Sequence, residues 1–150
     1  MLRAIASDGV ITLRRSEAGD AALLIAGRDD EWRRWLGPGS DDPTPTACIV
    51  VDGEVVGWVD HDTDREWLEA GEVNIGYNVF AGHRRRGHAS RAVELLIGYL
   101  ERTTPYCTAT LLINPGNVGS LAVAAKLGFE AHGVIEGSHY FKRPIHGQGE

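Results

Sequence analysis

The chain has 150 residues, of which 43% are hydrophobic and 24% are charged, and its formal net charge is −6. This length is typical of one globular domain whose core needs no disulfide or metal, so we expect a single domain over residues 1–150. No stretch approaches the roughly 18 uninterrupted apolar residues of a membrane span, and the first ten residues are too weakly apolar for a signal peptide. We therefore expect a cytoplasmic protein without a membrane partner, and the acidic balance disfavours nucleic acid as a partner.

The charges are divided unequally along the chain. Residues 16–72 carry fifteen acidic side chains against four arginines, whereas residues 73–150 carry eight basic side chains against five acidic ones. Any single acid is most simply explained as a solvated surface group. The asymmetry nevertheless favours two partners of opposite charge, one for each half.

The first third of the chain predicts a strand and two short helices. Residues 10–14 alternate in polarity, which is typical of a half-buried strand. Ser16 is a candidate N-cap for a helix that ends at Gly27. Asp29 and Asp30 place negative charge where a second helix begins.

A hairpin and a further strand occupy the middle of the chain. Two apolar, β-branched runs within residues 46–61 flank Asp52 and Gly53, a dipeptide that favours a two-residue turn. After an acidic loop, residues 72–80 alternate in polarity and predict the next strand.

The last half of the chain alternates helices with strands. An amphipathic helix is predicted because apolar residues recur at i, i+3, i+4 and i+7. These residues are Ala89, Ala92, Val93, Leu96, Ile97 and Leu100. Three further strands are predicted over residues 106–113, 129–137 and 139–145, and a short helix over residues 118–128. The whole order indicates a mixed α/β sheet.

The cysteines and histidines indicate no metal or redox site. Cys48 and Cys107 lie singly in apolar strand segments, so we expect both to be buried, reduced thiols. His61, Asp62 and Asp64 are close in sequence, but they lie where the hairpin must turn, so we interpret them as loop. We therefore expect no metal.

The corner over residues 83–90, "HRRRGHAS", combines three arginines with a glycine at the start of the amphipathic helix. The first backbone N–H groups of a helix have no intrahelical partner and attract anions. Gly87 lets the backbone approach a ligand closely, and Arg84, Arg85 and Arg86 add positive charge. Taken alone, such a cluster is more often solvated surface. With the helix behind it, the corner predicts a site for a phosphate or pyrophosphate.

Two motifs give the chain a resemblance to a known family. "RRRGHA", residues 84–89, fits R/Q-x-x-G-x-G/A, and "NVGSLAVAAKLGF", residues 117–129, fits N-x-x-S/A followed by K-x-G-F. Each motif follows a predicted strand, and together they resemble the acetyl-coenzyme A site of the GNAT superfamily of N-acetyltransferases. The resemblance covers essentially the whole chain. It implies a single-domain, GNAT-like α/β fold with a mixed, mostly antiparallel sheet of about seven strands flanked by about four helices.

The resemblance implies transfer of acetyl from acetyl-CoA to a primary amine, on a small molecule or on a protein N-terminus. By position, it implies that backbone N–H groups hold the pyrophosphate, and these belong to Arg85, Arg86, Gly87, His88 and Ala89. It places the Arg84 side chain near the same phosphates and pairs Val79 and Phe80 with the pantetheine arm. Asn117 and Ser120 would contact the cofactor from the second motif.

Acetyl transfer to an amine needs a deprotonated amine and a proton for the leaving thiolate. Glu72, at the start of the strand before the corner, is the first candidate for the base. The family's usual acid is a tyrosine, but Ala124 occupies its position. Relatives that acetylate ribosomal-protein N-termini often have serine where this chain has Ser120, which makes Ser120 a candidate acid. His139 and Tyr140 are fallback acid–base groups.

Other interpretations stay open at this stage. Asn74 begins "NIGY", which resembles the E-I-G-Y of the ribosomal-protein branch but lacks its carboxylate. Together with Ala124, this departure also fits a catalytically weak module that binds coenzyme A. The three arginines would suit nucleic acid, but the net charge opposes it. The excess of acidic side chains over residues 16–72 favours a cationic amine as the acceptor. A homodimer stays open, because the sequence does not specify the oligomeric state.

Overall fold

Eight β-strands and four α-helices make up residues 4–145, the part of the chain that the computed structural model describes. The strands are β1 (Ala4–Ser7), β2 (Thr12–Arg15), β3 (Ala47–Val51), β4 (Glu54–Asp62), β5 (Glu72–Val79), β6 (Thr108–Ile113), β7 (Glu130–Ile135) and β8 (Ser138–Pro144). The helices are α1 (Asp20–Ala26), α2 (Asp30–Trp35), α3 (His88–Thr103) and α4 (Val118–Lys126). From β2 onward the order of elements is the predicted one, and β1 is an additional strand that pairs with β2.

The strands form a sheet in the order β1-β2-β3-β4-β5-β6-β8-β7. Most described pairs are antiparallel, whereas β5 and β6 run parallel. A parallel pair needs a crossover connection rather than a hairpin, and α3 provides it. The prediction of a mixed, mostly antiparallel sheet with four helices is confirmed.

The described residues divide into two compact units. The first unit runs to Asp60 and resumes over Tyr77–Leu96, and the second comprises His61–Gly76 and the residues from Ile97 onward. The first unit has a fully buried apolar centre that includes Ile11, Leu13, Leu24, Ile49, Val56, Val59, Val93 and Leu96. The centre of the second unit includes Val73, Leu100, Thr110 and Leu111. The single domain expected over the whole chain stays a prediction.

Helix α1 begins later than its sequence suggests. The predicted N-cap, Ser16, is wrong, because its hydroxyl donates to the Pro45 carbonyl and Gly19 precedes the first helical residue. Asp20 instead closes a turn, since its carboxylate accepts from the Glu17 N–H at 2.6 Å and its own N–H donates back to the Glu17 carbonyl. The competing turn satisfies the local backbone, so the helix starts one turn downstream.

The two cysteines differ in exposure. Cys48 is fully buried in β3, and burial raises its pKa to about 11. The expectation for Cys107 is wrong, because β6 begins only at Thr108 and Cys107 is exposed. Over residues 4–145, no group of three histidine, cysteine or acidic side chains is placed to hold a metal ion. No helix in that range is long and apolar enough to cross a membrane.

Candidate functional site

The loop between β5 and α3 has the backbone shape of an anion site. Arg85 and Gly87 both have a left-handed backbone, with φ values of +66° and +81°. Such residues turn consecutive N–H groups toward one concave side. A Cβ added at Gly87 would meet no atom within 4 Å, so the space beside the loop is open. A side chain at this φ would be strained, which explains the need for glycine.

Helix α3 opens directly behind this loop. Its sixteen residues give it a full dipole, and its first turn carries no acidic side chain. The Gly87 carbonyl accepts from the Ser90 hydroxyl at 3.1 Å and from the Arg91 N–H at 3.2 Å. The N–H groups of the first turn have no intrahelical acceptor. The helix therefore directs partial positive charge toward the loop.

His88, the first residue of α3, contains an unsatisfied polar atom. Its side chain is 7% exposed, and Nδ1 has no hydrogen-bond partner in the described part of the chain. Burial lowers the pKa of His88 below its ordinary 6.5, and the charge of Arg86 lowers it further. His88 is therefore neutral at pH 7. Because buried polar atoms normally have partners, the corner fits a polar or anionic group bound there.

The Arg84 side chain is hydrogen-bonded to several groups within the protein. Its Nε donates to the Val79 carbonyl at 2.7 Å, and Nη1 and Nη2 donate to the two carboxylate oxygens of Asp29 at 2.7 and 3.2 Å. Nη2 also lies 3.3 Å from Asn78 Oδ1. These hydrogen bonds hold the pKa of Asp29 below its ordinary value. The guanidinium is thus engaged within the protein, an arrangement that the sequence did not predict.

The junction between α1 and α2 contains Asp29, which pairs with Arg84, and it makes a second contact at Gly27, which lies against Phe80 just after β5. A Cβ added at Gly27 would lie 2.4 Å from the ring of Phe80, so the ring packs directly on that glycine. The Phe80 N–H donates to the Val56 carbonyl of β4 at 2.8 Å. Since successive strand residues direct their backbone groups to opposite sides, the backbone groups of Val79 point away from β4.

Glu72 is buried at the other end of β5, among three hydrogen-bond donors. Its Oε1 accepts from the Tyr140 hydroxyl at 2.6 Å and from the Glu69 N–H at 3.1 Å, and Oε2 lies 2.5 Å from Lys142 Nζ. Burial raises the pKa of Glu72, but the hydrogen bonds from Lys142, Tyr140 and Glu69 outweigh it, so the net pKa is below 4.5. Glu72 is therefore ionised at neutral pH.

Tyr140 completes this cluster on β8. Burial, followed by the hydrogen bond to Glu72, raises the pKa of Tyr140 above its ordinary 10.0, so the hydroxyl stays protonated. The Trp67 ring packs edge-on against the Tyr140 ring, with centroids 5.0 Å apart. Sequence reasoning named Tyr140 only as a fallback and did not identify Lys142. No local signal links these residues to Glu72, because each lies about 70 positions away along the chain.

The second motif caps α4. The Asn117 side chain accepts from the Ser120 N–H at 3.3 Å, as an N-cap residue does. Ser120 lies half-buried in the first turn, and Ala124 is fully buried one turn later. Asn74 has no charge to offer, and its Oδ1 lies 3.2 Å from the Thr110 hydroxyl inside the second unit.

The two units divide the candidate residues between them. The first unit contains Val79, Phe80 and the loop residues 84–89, and the second contains Glu72, Asn117 and Ser120. Within the first set, the hydrogen bond from Arg84 Nε to the Val79 carbonyl joins the loop to the end of β5. The roles given to both sets by the resemblance stay predictions.

Comparison with known proteins identifies the family. A sequence profile described as an acetyltransferase (GNAT) domain matches residues 40–130. The chain therefore belongs to the GNAT acetyltransferase family. No curated protein matches the sequence significantly.

Solved structures share this fold at low sequence identity. A GNAT-family acetyltransferase from Bacillus anthracis has a TM-score of 0.78 at 14% identity, over 93% of this chain and 98% of that one. Aminoglycoside acetyltransferase AAC(6')-Ib, solved with coenzyme A and kanamycin, has a TM-score of 0.76 at 18% identity, over 89% and 94%. RimL, the ribosomal L7/L12 alpha-N-protein acetyltransferase, has a TM-score of 0.78 at 16% identity, over 96% and 95%. These likenesses establish a GNAT fold.

Proposed function

We propose that this chain is an acetyl-CoA-dependent N-acetyltransferase that acetylates a primary amine of a small molecule or of a protein N-terminus. The observation that carries the proposal is the corner after β5. There a left-handed Gly87, the open space beside it and a His88 Nδ1 that has no partner among the described residues lie at the start of α3. Membership of the GNAT acetyltransferase family supports acetyl-CoA as the ligand of this corner. AAC(6')-Ib is an example of a similar structure that binds coenzyme A.

In this proposal the loop backbone binds the cofactor. The pyrophosphate is held by the N–H groups of residues 85–89, which are Arg85, Arg86, Gly87, His88 and Ala89. The pantetheine arm lies along the end of β5, where the Val79 N–H is on the side away from β4, whereas the Val79 carbonyl already accepts from Arg84 and the Phe80 N–H is already bonded. Asn117 and Ser120 contact the cofactor from the start of α4. When bound, acetyl-CoA supplies the acetyl group as an activated thioester, and coenzyme A leaves as the thiol.

The acid–base roles follow from the protonation states. A carboxylate with a pKa below 4.5 is a weak base toward an ammonium group with a pKa of about 10.4. We therefore assign Glu72 a fixed negative charge that orients Tyr140 and Lys142, and we expect the amine to react in its neutral form. As the tetrahedral intermediate collapses, its C–S bond breaks, the Ser120 hydroxyl gives its proton to the leaving thiolate, and Ser120 takes a proton from the nitrogen that becomes the amide, so the serine ends unchanged.

Thiol release from acetyl-CoA tests the proposal. The acceptors are kanamycin, spermidine, a peptide with a free N-terminus and, as an anionic amine, glutamate. We expect turnover that rises with pH as the acceptor amine loses its proton. Ser120→Ala should lower kcat about 100-fold while leaving the Kd for coenzyme A within about twofold. Equal turnover would remove Ser120 from the mechanism.

A second function has specific support. Asn74 and Ala124 stand where relatives have a carboxylate and a tyrosine, which fits a module that binds coenzyme A without turnover. Calorimetry that detects coenzyme A binding, together with no thiol release for any acceptor, would favour this alternative.

The acceptor in the proposal is a cationic amine. Residues 16–72 carry fifteen acids, whose summed field would concentrate cations. The ribosomal N-terminal branch is the finer assignment, supported by the "NIGY" segment and Ser120. Such steering decays over a Debye length of about 8 Å at physiological salt, so kcat/KM for spermidine should fall as salt rises.

Charge-neutralising variants test this acceptor preference. Asp60 is unsuitable, because it accepts hydrogen bonds from the N–H and hydroxyl of Thr46 at 3.0 and 2.9 Å. Asp64→Asn with Glu66→Gln, both exposed in the loop before β5, should flatten the salt dependence. Glu101→Gln with Glu130→Gln, which removes two exposed acids outside residues 16–72, is the control. If glutamate were acetylated with a higher kcat/KM than the cationic amines, the proposal of a cationic acceptor would be contradicted.

A further inference from the structure

The Arg84 side chain folds back onto the strand that the chain has just left. Its Nε donates to the carbonyl of Val79, the last residue of β5, at 2.7 Å. Between them the chain turns, and the His83 N–H donates to the Phe80 carbonyl at 2.9 Å. Arg84 therefore fixes the point at which the loop leaves the strand.

The same guanidinium is held by a carboxylate that has another structural role. Asp29 binds Arg84 with both oxygens, and its Oδ1 also accepts the Trp32 N–H at 2.9 Å as the N-cap of α2. Glu31 adds a second negative charge, 3.8 Å from Arg84 Nη1. Bidentate pairing of arginine with a carboxylate fixes orientation as well as distance. The start of α2 is thereby tied to the start of the loop.

A second contact makes this attachment rigid. The Phe80 ring packs on Gly27, where any Cβ would overlap it. Two residues that flank the turn, Phe80 and Arg84, thus both contact the junction between α1 and α2. A displacement of the loop start would therefore disturb both the ion pair and the packed contact.

We propose that Arg84 is a positioning residue that preorganises the cofactor loop through Asp29, and that its side chain does not bind the cofactor phosphates. This inference rests on the proposed binding of coenzyme A at the loop. The positive charge of Arg84 is already matched by Asp29 and Glu31. Its contribution is to hold residues 85–89 so that their N–H groups face the open side, which lowers the ordering cost of binding.

The decisive variant is Asp29→Asn. Asparagine caps a helix about as well as aspartate, so α2 keeps its cap while Arg84 loses its ion pair with Asp29. If Arg84 positions the loop, Asp29→Asn and Arg84→Gln should each raise the Kd for coenzyme A about tenfold, and the double variant should be no worse than either. If Arg84 instead binds phosphate, Asp29→Asn should leave the affinity unchanged or tighten it, which would overturn the inference.

The salt dependence of the Kd distinguishes a direct phosphate contact from a positioning role. Loss of a direct phosphate contact should reduce the slope of log Kd against log salt, whereas loss of a positioning residue should leave the slope unchanged. The matched control is the Asp30–Arg33 pair, at 3.0 Å on the exposed face of α2. Asp30→Asn and Arg33→Gln should leave the Kd within about twofold.

Hydrogen exchange separates this inference from the proposed function. In the ligand-free protein, Arg84→Gln should speed exchange over residues 80–87 and over α2, and Arg84→Lys should restore it only in part, because lysine lacks the planar fork. Unchanged exchange in Arg84→Gln would overturn the inference even if the wild-type protein failed to bind coenzyme A. That failure would refute the proposed function instead.

Discussion

The two ends of β5 differ in whether their polar groups are satisfied. At the start, both carboxylate oxygens of Glu72 are occupied by donors that include Tyr140 and Lys142. Past the other end, the space beside Gly87 is open and His88 Nδ1 has no partner in the described part of the chain. A satisfied cluster stabilises the fold by itself, whereas an unsatisfied corner gains stability from a ligand. This contrast supports the proposal that the second end binds the cofactor, and it leads us to expect a scaffolding role for the first end.

Charge alone does not distinguish these two kinds of site. Arg84 lies in the open corner, yet its guanidinium is as fully engaged as the carboxylate of Glu72. Arg85 and Arg86, its neighbours in sequence, are exposed. The features that support binding at this corner are therefore the open space beside Gly87 and the His88 Nδ1 that has no partner among residues 4–145, not the number of arginines.

Removal of Glu72 should have the largest effect. Glu72→Ala leaves the Tyr140 hydroxyl and the Lys142 ammonium without their carboxylate, so we expect the free energy of unfolding to fall by about 3 kcal/mol. Urea denaturation measures the loss. Glu69→Ala is the control, because Glu69 is exposed and its hydrogen bond to the cluster comes from its backbone N–H, which alanine keeps. A loss below about 1 kcal/mol would mean that this end of β5 is not a scaffold.

Filling the open corner should have the next largest effect. Gly87→Val places a branched side chain at φ +81° in the space proposed for the pyrophosphate, so the Kd for coenzyme A should rise about tenfold or more. Gly53→Val is the control, since Gly53 has φ +79° and open space in the β3–β4 turn. Both variants should lose about 1–2 kcal/mol of stability. Calorimetry showing an unchanged Kd for Gly87→Val would remove the loop from the binding site.

Removal of the unsatisfied atom should change stability little. His88→Leu deletes the buried Nδ1, so the ligand-free protein should keep its stability to within about 1 kcal/mol or gain that amount. Coenzyme A should then raise the Tm of the variant less than that of the wild type. His132→Leu, on exposed β7, controls for the loss of a histidine. A clear loss of stability with an unaltered response to coenzyme A would show that His88 is part of the scaffold.

The pH dependence of stability should give the smallest and most selective signal. The pKa of folded Glu72 lies below its ordinary 4.5, so its contribution is present above that value and is lost as pH falls through the lower folded pKa. Glu72→Gln should therefore lose less stability than the wild type between pH 7 and pH 3, as measured by urea midpoints. The flattening should be partial, because Asp20 and Asp29 also have lowered pKa values. An identical pH profile would contradict the ion pair with Lys142.

Local patterns determined most of the elements. The apolar spacing of α3 predicted its buried face, and Ala92, Val93, Leu96 and Leu100 are fully buried. Asp52 and Gly53 form the predicted hairpin turn, with φ values of +52° and +79°. These predictions depend on residues within one or two turns of each other, where backbone geometry fixes which side chains share a face. The N-cap prediction for Ser16 was wrong for a local reason as well, because the turn between Glu17 and Asp20 competes with the start of the helix.

By itself the sequence determined the family, the order of elements and the loop whose backbone is shaped for an anion, since all three follow from short spacings. Only the tertiary structure decided which side chains complete each end of β5. Arg84 and Asp29 are 55 positions apart, and Glu72 and Tyr140 are 68 apart. No spacing rule connects residues at such distances, because they meet only after the strands have paired and packed. The motif therefore identified Arg84, but the fold decided that its charge is paired with Asp29.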